Sequence, residues 1–178
     1  MKTLYIIVFL TTASLHVSAQ KSENIKWYTI EEAMKLNAVA PRKILIDVYA
    51  DWCGPCKMMD AQTFNHPVIA DYINKNFYAV KFDSESTQPV NFAGHTFVNE
   101  GIRNGSRKPV HQLVRAMRVE AYPTVVYFTS DLQIIYVVPG FLTPDKIEPL
   151  LHFIIEEKYA SISYEEYQQS FVSELTKK

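Results

Sequence analysis

The chain has 178 residues, 48% hydrophobic and 21% charged, with 18 Lys and Arg against 19 Asp and Glu. That length holds one ordinary domain with a full core, and a net charge of −1 excludes a dedicated nucleic-acid binder, which carries a clear basic excess. Nine prolines and five glycines exclude a collagen-like or low-complexity chain, and two cysteines exclude a framework of several disulfides.

Lys2 precedes an apolar run over residues 4–10, polarity then rises through Thr11, Thr12 and Ser14, and Val17-Ser18-Ala19 supplies small residues at the positions a signal peptidase reads. This layout predicts a secretory leader over residues 1–19, cleaved after Ala19. A membrane anchor needs roughly 20 apolar residues, more than this run provides. The mature domain, residues 20–178, is therefore expected to be soluble, without stable membrane insertion, in a compartment where disulfides persist.

Thr29 with Glu32 three residues later forms a capping box, so a helix starts at Ile30 and ends near Pro41. Residues 43–50 form a short apolar run without clean alternation, which reads as a strand buried on both faces. Residues 54–63 read as helix. Asn65-His66-Pro67 restarts a helix, with Asn65 as its expected cap and Val68, Ile69, Tyr72 and Ile73 on one face. Residues 77–82 are a second strand.

Residues 84–109 read as an irregular insertion with a hairpin around Ala93-Gly94, followed by a helix over 110–118. Two further strands, 124–128 and 133–138, flank Thr129-Ser130-Asp131-Leu132, which suits an antiparallel turn. Thr143-Pro144-Asp145 opens a long helix. Tyr164, Tyr167 and Phe171 stand at helical spacing in a tail, 161–178, expected to dock as an extra helix. The order predicts an α/β fold in three layers, a mixed central sheet with helices on both faces.

Both cysteines fall in Trp52-Cys53-Gly54-Pro55-Cys56-Lys57, directly after a buried strand and at the start of a helix. Unpaired backbone N–H groups and the positive dipole end stabilise a thiolate there. Position makes Cys53 the exposed attacking thiolate and Cys56, one turn in, the sheltered resolving thiol. Such a pair performs thiol–disulfide exchange and needs no cofactor. A purely structural disulfide would close a loop of about four residues and contribute only roughly 2 kcal/mol. A metal site would need two more ligands, and His66, His95, His111 and His152 show no ligand-like pairing, so no metal is expected.

The motif, with Ile44-Leu45-Ile46-Asp47 before it, resembles the active-site segment of thioredoxins, and the resemblance runs over residues 26–158. It implies the thioredoxin fold, with Asp47 as the buried carboxylate beneath the disulfide and Lys81 as the lysine beside that acid. It implies further that Tyr122-Pro123-Thr124 is the cis-proline loop that receives substrate backbone, and that Gly140 lies on the binding rim. Trp52, Gly54, Pro55, Tyr122, Pro123 and Gly140 are then the substrate-binding residues, with Trp52 and Tyr122 as an apolar landing beside the disulfide. Without any family, burial of Asp47 within an apolar strand should raise its pKa and let it take the proton of Cys56, through water. The alternative is a structural acid paired with Lys81.

The insertion before Pro123, the interruption at Asn65-His66-Pro67 and the leader make the chain more similar to exported bacterial thioredoxin-like proteins, including the soluble thioredoxin-like domain of the membrane thiol reductase. Tyr122 replaces the aliphatic residue usual before the cis-proline. The resemblance implies a periplasmic disulfide reductase acting on protein disulfides and recharged by a membrane thiol reductase. A disulfide-forming oxidant or isomerase is the alternative of the same chemistry, which Gly54-Pro55 disfavours. A thioredoxin-fold binding or chaperone protein without catalysis is the alternative of another class. Arg103, Arg107, Lys108, Arg115 and Arg118, with no acid between them, read first as a solvated insertion and otherwise as a field that steers acidic partners or anionic headgroups.

Overall fold

The computed structural model describes residues 24–101 and 109–175. In chain order, β1 (Trp27–Tyr28) leads into α1 (Ile30–Val39), then β2 (Lys43–Tyr49) and α2 (Gly54–Met59). The last turn of α2 widens into a π-helix over Asp60–Phe64, followed by α3 (Pro67–Asn76) and β3 (Phe77–Asp83). A hairpin of β4 (Val90–Phe92) and β5 (His95–Phe97) precedes α4 (Gln112–Ala116). The chain closes with β6 (Thr124–Phe128), β7 (Ile134–Pro139), α5 (Pro144–Ile155) and α6 (Tyr164–Ser170).

The main sheet has the order β1-β3-β2-β6-β7. β2 runs parallel to β3, with Asp47 opposite Lys81, and antiparallel to β6, with Asp47 opposite Val125. Both faces of the three inner strands are largely buried, as the apolar run of β2 predicts for that strand. Leu45, Ala79, Val125 and Tyr127 pack toward α3, α5 and α6, while Ile46, Val80, Val126 and Phe128 pack toward α1, the hairpin and α4. This is the three-layer mixed α/β architecture expected.

The Thr29–Glu32 capping box forms: the Glu32 amide donates to Thr29 Oγ1 and the Thr29 amide to the Glu32 carboxylate. The hairpin turns at Ala93 and Gly94, both at positive φ, the geometry that favours short twisted hairpins. The tail docks as a helix, its Tyr164 and Tyr167 rings tilted against Phe153 of α5.

Four local expectations need correction. His66, not Asn65, occupies the N-cap of α3, and no side chain caps it, because Asn65 is taken up in closing the π turn onto Asp60 and Thr63. The helix expected over 110–118 shortens to α4, because Arg118 turns to positive φ at one end and buried His111 caps the other. The strand expected over 133–138 lies one residue later. β1 was not anticipated; two residues form a strand only because β3 pairs with them. The leader, and Arg103, Arg107 and Lys108, lie outside the described residues.

Candidate active site

Asp47 enters from the end of β2, where alternation turns it to the face carrying Leu45. The loop after β2 turns with the Cys53 amide donating to the Ala50 carbonyl at 2.9 Å, and α2 starts at once. Cys53 is the N-cap of α2, its sulfur accepting from the Cys56 amide at 3.1 Å, with Pro55 in the first turn where its missing N–H costs nothing. Cys53 and Cys56 are joined as a disulfide.

Cys53 was expected exposed and Cys56 sheltered, but both are only 3% exposed. Tyr49 and Tyr122 pack against the cluster formed by Ala50, Cys53 and Cys56. Pro123 follows Tyr122 through a cis peptide bond, and Thr124 Oγ1 donates to the Ala121 carbonyl at 2.7 Å across that turn. Gly140 donates its amide to the Pro123 carbonyl at 2.7 Å. Its φ of +96° is a conformation side chains rarely adopt, so glycine suits the contact. Tyr122, Pro123 and Gly140 are thus brought together.

Asp47 is 2% exposed and its Oδ1 has no hydrogen-bond partner. Burial raises its pKa to about 6, with the nearby Asp60 carboxylate adding to the rise and Lys81 opposing it. Lys81 Nζ lies 3.3 Å from Asp47 Oδ2, and it also contacts Asp60. The same ammonium stands over the Tyr49 ring at 5.2 Å. Lys81 therefore serves two acids rather than Asp47 alone. Burial and the surrounding carboxylates of Asp83 and Asp51 raise the Tyr49 pKa, which keeps its phenol neutral beside the disulfide.

Asp60 is the residue that sequence reasoning missed. It stands four positions after Cys56 and seven after Cys53, on one face of a helix, and that spacing was the available signal. Glu85, from the insertion, was also missed. It accepts the Trp52 indole N–H at 2.8 Å, while the half-exposed Trp52 ring meets Tyr122 edge-on at 6.0 Å. Nothing local to Glu85 marks it.

Among the described residues, no group of three or more His, Cys, Asp or Glu could hold a metal ion. None of the helices there is long and apolar enough to cross a membrane. The site can open and close one disulfide, with a buried carboxylate of raised pKa available to exchange a proton.

The family model described as "Thioredoxin-like domain" matches residues 30–155. The chain is 22% identical over 120 residues to the thiol:disulfide interchange protein DsbD of Pectobacterium atrosepticum, 67% of this chain and 17% of that protein. It is 38% identical over 56 residues to thioredoxin of Bos taurus, 32% of this chain and half of that one. Among solved structures, a thioredoxin-fold protein from Helicobacter pylori superposes with a TM-score of 0.58 at 19% identity, covering 72% of this chain and 83% of the other. The chain thus spans less than a fifth of the length of that DsbD.

Proposed function

The chain belongs to the thioredoxin-like family as an oxidoreductase domain with a redox cysteine pair, and from that membership we propose that it is an exported reductase of protein disulfides. In its reduced form the Cys53 thiolate attacks one sulfur of a substrate disulfide, and the other substrate sulfur leaves as thiolate. Cys56 then gives its proton to Asp47 and attacks the Cys53 sulfur. The second substrate thiolate departs, and the Cys53–Cys56 disulfide holds the two-electron oxidation. A membrane thiol reductase returns those electrons in this reading; the similarity to a thiol:disulfide interchange protein supports exchange partners in general. The export and periplasmic part of the proposal rests on the sequence pattern of residues 1–19, read as a secretory leader.

The observation that carries the direction is the sharing of Lys81 between Asp47 and Asp60. Strong oxidants owe their potential to a heavily stabilised thiolate. Here one cation stands between two carboxylates, so the thiolate draws chiefly on the start of α2. Gly54 and Pro55 between the cysteines add no charge. The disulfide is correspondingly stable and the dithiol donates.

Equilibration against glutathione redox buffers tests this. Thioredoxin and a strongly oxidising member of the same fold differ by about 150 mV, or roughly 7 kcal/mol for two electrons. A potential at the thioredoxin end is expected. One at the oxidant end overturns the reductase reading in favour of an oxidant, and thiols that do not cycle overturn it in favour of a binding protein.

A further inference from the structure

We infer that the neck of the insertion, residues 84–86 held to Asn99 and Pro109, forms a substrate-selecting wall of the exchange site, and that Asn99 is the positioning residue that fixes it there. The inference rests on the exchange reaction proposed above. Asn99 lies outside the motif, and its side chain ties together the two ends of the insertion. Its Nδ2 donates to the carbonyls of Ser86 at 3.0 Å, Glu85 at 3.2 Å and Pro109 at 3.3 Å. Its Oδ1 accepts the Gly101 amide at 3.0 Å. Donors and acceptor are all engaged, so the carboxamide has one orientation. Beside it the His111 amide donates to the Ser84 carbonyl at 2.9 Å, knitting the same neck.

The residue placed by this neck is Glu85, whose carboxylate receives the Trp52 indole N–H at 2.8 Å. Trp52 in turn meets the Tyr122 ring, which packs against Cys53 and Cys56. A chain of contacts thus runs from the neck to the disulfide without Asn99 touching the reacting sulfurs. Trp52 is 55% exposed, and freezing an exposed indole costs rotamer entropy. That ordering yields a return when a partner covers the ring, because a pre-set aromatic surface needs no further ordering on binding. The partner that fits is a polypeptide disulfide with apolar flanking residues, broad enough to lie on Trp52 and Tyr122. A small disulfide reaches the sulfur without using the wall.

The test compares insulin with hydroxyethyl disulfide as substrates of the full chain. Asn99→Ala should raise KM for insulin about fivefold, the equivalent of one lost hydrogen bond, with kcat for insulin and turnover of hydroxyethyl disulfide retained. Glu85→Ala should reproduce that pattern, and Glu85→Gln, which keeps an acceptor oxygen, should restore most of the lost KM. The double variant Asn99→Ala/Glu85→Ala should be no worse than either single one, since both act through Trp52. An unchanged insulin KM, or an equal loss on both substrates, overturns the wall. A wild-type protein that turns over neither substrate overturns the exchange reading instead.

Discussion

Asp47 and Asp60 share one ammonium. They are thirteen positions apart in the chain, one on β2 and one at the start of the π turn, and Lys81 on β3 contacts both carboxylates. Burial is the main reason the Asp47 pKa stays raised despite its ion pair with Lys81, and the Asp60 carboxylate close by adds to the rise.

Asp60→Asn removes the like charge and leaves the Lys81 ammonium to Asp47. Both changes favour the carboxylate, so the Asp47 pKa in the oxidised protein should fall from about 6. Carboxyl chemical shifts followed through an NMR titration measure this. An unchanged or higher midpoint would show that Asp60 does not act on Asp47.

Asp47→Asn should stabilise the oxidised protein at neutral pH. The folded pKa of about 6 lies above the unfolded value of 3.8. Below 3.8 the carboxyl is protonated in both states and carries no penalty; as pH rises through 6 the fold must bear a buried charge, and stability is lost. Asparagine removes that loss, on the order of 2–3 kcal/mol above pH 6.5 and vanishing below pH 4. Urea unfolding at pH 4 and pH 7 measures the difference. Turnover by wild type should rise through about pH 6 as Asp47 becomes able to accept a proton, and the same variant should lack that rise, since the amide accepts none.

Cys53→Ser should abolish exchange, whereas Cys56→Ser should accumulate a stable mixed disulfide with substrate. Both cysteines are equally buried in the disulfide, so residue exposure does not separate their roles; the N-cap position of Cys53 does. Brief alkylation of the reduced protein near pH 7, followed by peptide mapping, should label Cys53 first. Preferential labelling of Cys56 reverses the assignment.

Glu148→Ala should loosen the C-terminal segment without touching the active site. Glu148, 2% exposed within α5, accepts the Ser173 hydroxyl and, at 2.6 Å, the Glu174 amide. Removal of that carboxylate should cost about 1–3 kcal/mol in urea unfolding. Faster proteolysis after Phe171 should accompany it, with the Cys53–Cys56 potential unchanged. A shift in that potential would mean that the tail reaches the site.

Local chemistry made much of this molecule legible. The Thr29–Glu32 box, the turn at Ala93-Gly94, the doubly buried run of β2 and the cysteine pair at a helix start each need only a few neighbouring residues to be read. Asp47 was recognisable because a lone acid in an apolar strand is costly wherever that strand packs. Tertiary structure alone decided what those elements meet. The pairing of Lys81 with Asp60, the hold of Glu85 on Trp52, the strand made of Trp27 and Tyr28, and the packing of Tyr122 against the Cys53–Cys56 cluster join residues far apart in the chain. Periodicity and capping fix which face a side chain occupies; only the register of β2 against β3 and the packing of α2 across them fix which partner waits on that face.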